Sequence, residues 1–266
     1  MELKTYIINL EKSSVRKQYM QDLLSPYSFL DVEFVKAIDG RLLSDEDRKS
    51  RFDYGKSKKV YGRTLNAGEV GCALSHRKVY EQVLNGSEPY ALVLEDDIAI
   101  QRDLNLMPLE KIDKTMRSSR PRVLMLSGDF SFYRKRPVIK IYSAVGAYAY
   151  LINKAAAKRI LSINPPCCVA DDWMYYKRRG VRLFAVYPYM IDANLNMELL
   201  SSDVQQDTWG IDRSQMSLKE NIMRAITSFP VRIFKYYDHY QYKTFIYKNQ
   251  IHTRKKKGLK KSLAKK

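Results

Sequence analysis

Short apolar runs alternate with amphipathic stretches over roughly the first 195 residues of the chain. The runs Thr5–Leu10 and Val32–Ala37 predict two buried strands, joined by a helix that continues to Leu24. Four further strands are predicted at Tyr90–Leu94, Val123–Leu126, Tyr148–Ile152 and Leu183–Val186. Strands that alternate with helices indicate an α/β fold with a parallel sheet, whose ligands bind at the carboxyl ends of its strands.

Two kinds of pattern predict the helices: capping residues at their starts and apolar residues at helical spacing. Asn66 followed by Glu69 resembles a capping box, and the apolar positions after it recur at helical spacing as far as Asn85. An alanine-rich helix is predicted over Lys154–Ile163. Residues 41–65 are charged and irregular, so we expect a long surface loop there.

The pattern changes after about residue 195. The segment 217–220, Ser-Leu-Lys-Glu, is a second capping-box pattern and predicts a helix that Pro230 interrupts. Eight aromatic residues between Phe229 and Tyr247 are interleaved with lysine and arginine. We therefore divide the chain into an α/β domain over residues 1–212 and a basic, partly helical C-terminal segment over residues 213–266.

Composition and charge support this division. The 266 residues are 45% apolar, which is enough for a sizeable core, and they carry a formal charge of +18. Residues 213–266 contain 15 lysines and arginines but only two acidic residues, so they hold +13 of that charge. The remaining +5 is ordinary for a soluble domain. The strong basicity therefore belongs to the C-terminal segment.

Cysteine usage and the N-terminal sequence bear on the compartment. Three cysteines, two of them adjacent at Cys167 and Cys168, are a poor disulfide framework and indicate a reducing environment. The opening MELKTYIINL has no basic stretch followed by a long apolar run, so it does not resemble a signal peptide. We expect a cytoplasmic protein.

Three consecutive acids, Glu95-Asp96-Asp97, directly follow the apolar run Tyr90–Leu94. Like charges at such close range repel each other, and a divalent cation removes the repulsion. Mg²⁺ and Mn²⁺ prefer carboxylate oxygens and share their coordination shell with phosphates. The triplet therefore suggests a site for a metal-bound phosphate ligand at a strand end. A merely solvated acidic turn is the alternative, and the triplet alone does not decide between the two.

Six motifs follow one another between residue 5 and about residue 200. They are Tyr6–Leu10 with Arg16 downstream, Ala37–Gly40, Gly68–His76, Leu92–Asp97, Gly146–Ile152 and Asp171–Met174. In this order they resemble glycosyltransferase family 25, the bacterial lipopolysaccharide galactosyltransferases with distant relatives that act on collagen. Each motif is weak by itself, whereas the ordered set is specific. The resemblance does not cover the region after about residue 205.

The resemblance implies a GT-A-like, Rossmann-type fold with a mixed, mostly parallel sheet flanked by helices. It also implies a Mn²⁺- or Mg²⁺-dependent transfer from a UDP-sugar with inversion at the anomeric carbon. By this analogy Asp97, together with Glu95, is the candidate metal ligand. The candidate donor-binding residues are Asn9, Arg16, Asp39, Ser75, His76, Glu95 and Asp96.

An inverting transfer needs a general base that removes the proton of the acceptor hydroxyl. Asp171 and Asp172 form the second acidic pair, and the sequence does not choose between them. Trp173 beside them offers a flat apolar face on which a sugar ring can stack. Asp129, which follows the strand Val123–Leu126, is a further candidate for acceptor binding. As an alternative, the acidic pair caps the helix that begins at Trp173.

His76 lies four residues after Cys72, so the two side chains share one helix face. Zinc sites use that spacing, but the sequence shows only two ligands here. We therefore expect His76 to have a structural or hydrogen-bonding role rather than to bind a metal.

The C-terminal segment has the composition of a surface-binding element. Aromatic residues interleaved with basic ones are typical of a membrane interface or of nucleic-acid binding. A lipid-linked saccharide lies on an anionic leaflet, where a polybasic segment gains about 1 kcal/mol per nearby charge. We predict that residues from about 217 to 266 attach the protein peripherally to the inner membrane. A solvated tail or an oligomer contact is the alternative.

Together these features predict a metal-dependent glycosyltransferase. Galactose from UDP-galactose is the leading donor sugar, and a lipid-linked lipooligosaccharide or lipopolysaccharide is the predicted acceptor. UDP-glucose and a UDP-N-acetylhexosamine are alternative donors. A non-catalytic nucleic-acid-binding protein is the alternative from another class. Such a protein would carry basic residues throughout its folded domain. Because the surplus is confined to the C-terminal segment, we expect no nucleic-acid partner.

Overall fold

The computed structural model describes residues 2–128, 130–132, 136–194, 212 and 214–226. Its strands are β1 (Leu3–Asn9), β2 (Leu30–Lys36), β3 (Tyr90–Glu95), β4 (Ile98–Ile100), β5 (Arg122–Met125), β6 (Phe130–Phe132), β7 (Val138–Ala144), β8 (Ala149–Asn153), β9 (Arg182–Val186) and β10 (Ile191–Ala193). Its helices are α1 (Ser14–Leu24), α2 (Asp45–Arg51), α3 (Tyr54–Tyr61), α4 (Ala67–Asn85), α5 (Leu109–Met116), α6 (Lys154–Leu161) and α7 (Trp173–Lys177).

Eight strands form one mixed sheet in the order β2-β1-β3-β8-β5-β9-β7-β6. The predicted α/β class, with a mixed sheet flanked by helices, is confirmed. The parallel share is smaller than expected, because among the described strands of this sheet only β1–β2, β1–β3 and β5–β9 pair in parallel. The remaining four pairings are antiparallel. One of them joins β6 to β7 across a connection that is too short for a parallel crossover.

Strand β3 is buried on both faces, which explains its unbroken apolar sequence. Leu92 and Leu94 face a core cluster that includes Met20 of α1 and Ile112 of α5. Val93 faces a second cluster, formed with residues of α4 and α6. Both faces of this strand are thus occupied by apolar contacts, and its acidic residues follow at its carboxyl end.

The segment 41–65 is not the irregular loop that its charged sequence suggested, since it contains α2 and α3. Side chains cap both helices: Ser44 Oγ accepts from Asp47 N at 3.0 Å, and Asp53 Oδ1 accepts from Lys56 N at 2.8 Å. Acidic residues fill the first turn of α2 and basic residues its last turn, which favours the helix dipole. Caps and charge order, rather than apolar spacing, carry the helical signal here.

The predicted capping box at the start of α4 is confirmed. Asn66 Oδ1 accepts from Glu69 N, and Glu69 Oε2 accepts from Asn66 N, both at 2.8 Å. Arg63 adds two hydrogen bonds to the Glu69 carboxylate, at 2.8 and 2.6 Å. This network satisfies donors that a helix N-terminus leaves unpaired. It therefore fixes where α4 begins.

The chain divides into two units, Met1–Asn221 and Ile222–Lys266. In the first unit, Ser217 Oγ accepts from Glu220 N at 3.3 Å, as the second capping pattern predicted. Residues 222–226 of the second unit are helical. The aromatic stretch and Pro230 lie outside the described residues, and the boundary at residue 212 stays a prediction. Within the described part of the chain, no helix combines the length and the apolar character needed to cross a membrane.

Candidate active site

The carboxyl ends of β1, β2 and β3 meet at one edge of the sheet, because these strands are parallel neighbours. A cleft opens at this edge, with an empty volume of about 680 Å³ that includes solvent at its open mouth. Seven residues predicted from the sequence line it: Arg16, Asp39, Ser75, His76, Glu95, Asp96 and Asp97. The structure thus brings most of the predicted donor and metal residues together.

Asp96 is anchored through both of its carboxylate oxygens. Asn9 Nδ2 of β1 donates to one oxygen at 2.7 Å, and an Arg16 guanidinium nitrogen of α1 donates to the other at 2.9 Å. Burial raises the pKa of Asp96, although the charge of Arg16 opposes this effect. Asp96 therefore links β3 to β1 and α1, and its position is fixed before any ligand arrives.

Asp97 has less compensation than its neighbour. Its carboxylate lies 3.7 Å from the Arg16 guanidinium that already serves Asp96. Burial raises the pKa of Asp97 to about 7, with further contributions from the charges of Glu95 and Asp96. Asp96 and Asp97 share one guanidinium, and Glu95 adds a third carboxylate beside them, so the cluster carries an excess of negative charge. Its hard oxygen ligands fit Mn²⁺ or Mg²⁺.

Glu95 is held by a hydrogen-bond chain that begins in the core. Its Oε1 lies 3.1 Å from His76 Nε2, and His76 Nδ1 lies 2.7 Å from the hydroxyl of Tyr150. That hydroxyl lies 2.9 Å from the hydroxyl of Tyr80. His76, Tyr80 and Tyr150 are all buried. The hydrogen-bonding role expected for His76 is therefore present. Neither tyrosine was predicted, since each has the pattern of an ordinary core residue.

Asp39 is compensated by two cations that the sequence analysis did not single out. Arg41 Nε donates to one of its oxygens at 2.8 Å, and Lys12 Nζ lies 3.0 Å from the other. The hydrogen bond from Arg41 is the main cause that holds the pKa of Asp39 well below its usual value, and Lys12 adds to it. Asp39 is thus ionised at any physiological pH. The sequence indicated this pairing only through the position of Arg41, two residues after Asp39.

Close backbone contact positions the loop that carries Asp39. A Cβ atom at Gly40 would lie 1.9 Å from the carbonyl oxygen of Ala67, and one at Gly71 would lie 2.5 Å from the backbone nitrogen of Gly40. Ser75 Oγ accepts from Ile38 N at 2.8 Å and donates to the Gly71 carbonyl at 2.7 Å. The loop can therefore pack directly against α4, because the two glycines have no side chain there and Ser75 hydrogen-bonds to both segments. Ser75 anchors this loop and is itself buried.

The acidic pair is divided by its surroundings. Asp172 caps α7: one oxygen accepts from Tyr175 N at 2.9 Å and the other from the Tyr61 hydroxyl at 3.0 Å. Asp171 accepts a hydrogen bond from Gly146 N at 3.2 Å. Burial raises the pKa of Asp171, and the charge of Glu95 adds to the rise. The capping alternative thus describes Asp172, whereas Asp171 lies within electrostatic reach of the cleft.

Trp173 does not offer the exposed face that was expected of an acceptor-binding residue. Its side chain is fully buried, and its Nε1 donates to the Gly146 carbonyl at 2.7 Å. Its ring packs edge-on against Tyr150, with the centroids 4.9 Å apart. The cap at Asp172 turns this first residue of α7 into the core, where a sugar cannot stack on it. Asp129, the other predicted acceptor residue, lies outside the described residues.

Comparisons with known proteins give information independent of this geometry. The family model described as "Glycosyltransferase family 25 (LPS biosynthesis protein)" matches residues 2–175. A glycosyltransferase 25 family member from Aedes aegypti is 37% identical over 171 residues, covering 60% of this chain and 28% of its own length. A putative glycosyltransferase from Acanthamoeba polyphaga mimivirus is 28% identical over 223 residues, covering 76% of this chain and 67% of its own length.

Procollagen galactosyltransferase 2 from Homo sapiens is 24% identical over 214 residues, covering 70% of this chain and 34% of its own. The chain thus spans about a third or less of the insect and human relatives. Among solved structures, a galactosyltransferase in complex with donor and acceptor sugar analogues is 11% identical. It covers 85% of this chain and 95% of its own, with a TM-score of 0.36.

Proposed function

Because the chain belongs to glycosyltransferase family 25, we propose that it transfers a sugar from a UDP-sugar to a saccharide acceptor. The donor would bind in the cleft at the carboxyl ends of β1, β2 and β3. The observation that carries this proposal is the carboxylate cluster around Asp97, a partly buried carboxyl whose pKa is raised to about 7 by burial, with further contributions from the charges of Glu95 and Asp96. Repulsion among these carboxylates destabilises their ionised forms, and a bound divalent cation removes that repulsion.

Asp97 and Glu95 would hold the Mn²⁺ or Mg²⁺ ion, since both oxygens of Asp96 are already engaged by Asn9 and Arg16. When bound, the ion would neutralise the charge of the diphosphate leaving group. Arg16 keeps the neighbouring carboxylates in place while donor and ion enter.

Asp39 would contribute to donor binding as a permanent hydrogen-bond acceptor. Lys12 and Arg41 keep it ionised and together donate four hydrogen bonds to its two oxygens, so a ligand hydroxyl would take the place of the exposed Lys12. Ribose or sugar hydroxyls are suitable donors. The loop that carries Asp39 is fixed on α4 through Ser75, so the acceptor group is preorganised.

Asp171 would act as the general base. Its raised pKa brings it closer to the operating pH than an exposed aspartate, which is what efficient proton transfer requires. The proton would pass from the acceptor hydroxyl to the Asp171 carboxylate. The acceptor oxygen meanwhile attacks the anomeric carbon on the side opposite the departing UDP, so the configuration inverts.

Galactose is the leading donor sugar, because several relatives are named procollagen galactosyltransferases. UDP-glucose and a UDP-N-acetylhexosamine are alternatives. The family description names lipopolysaccharide biosynthesis. The acceptor that we propose is therefore a lipid-linked lipooligosaccharide or lipopolysaccharide core sugar at the cytoplasmic face of the inner membrane. The basic surplus of residues 213–266 supports peripheral attachment to that anionic surface.

A UDP-release assay over a panel of UDP-sugars and acceptors, with and without Mn²⁺, tests this function. We expect Mn²⁺-dependent release, greatest with UDP-galactose, and a loss of at least about 100-fold in Asp97→Asn. Glu88→Gln, which alters an exposed acid, is the matched control and should retain wild-type turnover. Normal Mn²⁺-dependent turnover in Asp97→Asn would contradict the proposal.

Thermal unfolding separates the enzyme from the nucleic-acid-binding alternative. A ligand that binds the native state raises Tm. We expect UDP with Mn²⁺ to raise Tm more than either alone, and duplex or single-stranded DNA to leave it unchanged at physiological salt. A shift with DNA and none with UDP and Mn²⁺ would favour the alternative.

A further inference from the structure

Three side chains of different chemistry converge beside the carboxylate cluster. The Cys72 thiol, the His76 imidazole and the Glu95 carboxylate each place one potential ligand atom within 4.8 Å of the other two. His76 Nε2 lies 3.1 Å from Glu95 Oε1, and Cys72 Sγ lies 4.0 Å from the same oxygen. Cys72 and His76 are one turn apart on α4, and Glu95 ends β3. The third ligand that the sequence did not show is thus supplied by another element.

These distances suit a zinc ion. Zinc binds thiolate sulfur at about 2.3 Å and imidazole nitrogen or carboxylate oxygen at about 2.0–2.2 Å, so tetrahedral ligand atoms stand roughly 3.4–3.6 Å apart. The separations of Glu95 Oε1 from His76 Nε2 and from Cys72 Sγ, 3.1 and 4.0 Å, fall on either side of that range. Mg²⁺ and Mn²⁺ prefer oxygen, whereas sulfur and nitrogen ligands favour zinc.

The imidazole of His76 is held in the orientation that a metal ligand needs. Its Nδ1 is hydrogen-bonded to the Tyr150 hydroxyl, which leaves Nε2 directed at Glu95. The ring also stacks on Tyr150, with the centroids 5.8 Å apart and an interplanar angle of 21°. In metal sites the second ring nitrogen of a ligating histidine is usually fixed by such a hydrogen bond.

We propose that Cys72, His76 and Glu95 form a zinc site whose fourth position opens into the cleft. All three residues line that cleft, so water or an entering ligand can reach the ion. Three protein ligands with an open position are the arrangement of zinc sites that exchange a ligand. Zinc would engage Glu95 and thereby compete with Mn²⁺ or Mg²⁺ at Asp97. This inhibition rests on the proposed function, whereas zinc binding itself does not.

The test is a zinc titration of the full-length, metal-free protein against a chromophoric chelator, without donor or Mn²⁺. We expect one equivalent to bind. Changes outside the ligand set already cost roughly 10–100-fold in metal affinity, so Cys72→Ser and His76→Gln should each lose at least about 100-fold. Substitution with Co²⁺ should give a thiolate-to-cobalt charge-transfer band in the wild type, and Cys72→Ser should lack it.

Two further variants make the result specific. Cys168→Ser, which alters a buried thiol bonded to Tyr176, should keep wild-type zinc affinity. Asp97→Asn should also keep zinc affinity while losing stabilisation by UDP and Mn²⁺. Circular dichroism of each variant verifies that it is folded. Failure of the wild type to bind an equivalent of zinc would overturn the zinc site. So would a folded Cys72→Ser protein whose affinity lies within about threefold of wild type.

The zinc site and the proposed function fail in different ways. A protein that binds zinc through Cys72 but releases no UDP from any donor refutes the glycosyl transfer alone. A protein that releases UDP normally but lacks Cys72-dependent zinc binding refutes the zinc site alone. If both hold, micromolar zinc should inhibit Mn²⁺-dependent transfer, and Cys72→Ser should relieve the inhibition.

Discussion

Glu95, Asp96 and Asp97 are adjacent in the chain, yet their side chains have different partners. Asp96 is compensated by Asn9 and Arg16, which precede it by 87 and 80 residues. Asp97 forms a longer ion pair with the same Arg16, and Glu95 is hydrogen-bonded to His76. The sequence predicted the cluster from its place after an apolar strand. It could not assign the charge state of each acid, because that depends on side chains from distant segments.

The raised pKa of Asp97 predicts how stability depends on pH. An aspartyl group with a folded pKa of about 7 binds its proton more tightly in the folded than in the unfolded state, whose value is about 3.8. Its contribution is therefore fully present below about pH 4 and is lost as pH rises towards 7. At 1.36 kcal/mol per pKa unit, the loss is at most roughly 4 kcal/mol.

Asp97→Asn should consequently stabilise the metal-free protein above pH 7, with a gain that shrinks as the pH falls to 5. Urea unfolding at several pH values measures this difference. Glu88→Gln, which alters an exposed acid, is the matched control and should leave the free energy of unfolding nearly unchanged across this pH range. If the gain in stability of Asp97→Asn did not change with pH, ionisation of the Asp97 carboxyl would not be the cause of that gain.

The two acids of the second pair should differ in their effect on turnover. Asp171→Asn removes the proposed base and should lower kcat by roughly 10²–10⁴-fold. Asp172→Asn keeps an oxygen that can cap α7 and should lower kcat by less than about 10-fold, with a modest loss of stability. Steady-state kinetics at saturating donor measure both variants. The reverse order would assign the base to Asp172.

At the scale of elements, α4 organises the cleft. Its capping box fixes its start, and Gly71 and Ser75 hold the Asp39 loop. Cys72 and His76, which directly follow these two residues, line the cleft. The capping box and apolar spacing were sufficient to predict the helix. The contact with the loop could not be predicted, because it depends on two backbones that approach where neither residue has a Cβ atom. Helices α2 and α3 were not predicted, because their sequences lack apolar residues at helical spacing.

Gly71→Ala tests the contact between α4 and the Asp39 loop. The new methyl group would lie 2.5 Å from Gly40 N and 2.6 Å from the Ile38 carbonyl oxygen, both of which are backbone atoms. We expect a loss of roughly 1–3 kcal/mol in the free energy of unfolding and weaker UDP binding as the loop moves. Urea unfolding and calorimetry measure the two effects.

Gly55→Ala provides the control for this substitution. A Cβ atom at Gly55 meets its nearest neighbour, Asp53 Oδ1, at 3.5 Å, which is ordinary contact. Because Gly55 lies in α3, alanine should stabilise the protein by up to about 1 kcal/mol. Equal stability of the two variants would mean that the contact at Gly71 is unimportant.

At the scale of the whole molecule, the alternation of strands and helices was sufficient to predict the class and most of the central strands. The sequence could not supply the pairing directions, because a buried strand has the same apolar pattern in parallel and antiparallel ladders. Strand β8 illustrates this, since it pairs antiparallel with both β3 and β5. Strands β4, β6 and β10 were not predicted because each has only three residues, and the seven-residue β7 was not predicted either.

Removal of residues 227–266 tests the proposed membrane attachment. The shortened chain keeps Asp212 and Ser217, whose backbone nitrogens bond to the carbonyls of Tyr61 and Lys59 at 2.9 and 3.1 Å, so the first unit should stay folded. The removed residues carry twelve lysines and arginines but one acid. We expect binding to phosphatidylserine-containing liposomes to fall at least 10-fold, on the order of 1 kcal/mol per lost contact.

Liposomes of phosphatidylcholine alone are the control, because the attraction depends on negative lipid charge and weakens with salt. The full chain should bind them poorly. If the shortened protein bound anionic liposomes as well as the full chain does, residues 227–266 would not be the attachment site.

The pairing of β3 has a consequence for how the protein is made. On one side β3 pairs with β1, with Thr5 opposite Leu92, and on the other with β8, with Tyr90 opposite Asn153. Contacts between such distant segments form slowly, since the chain must first close long loops. On the ribosome, the edge that carries Glu95 cannot be enclosed until residue 153 has emerged from the exit tunnel. A nascent chain arrested earlier should therefore bind no nucleotide, even though every predicted donor residue has by then been synthesised.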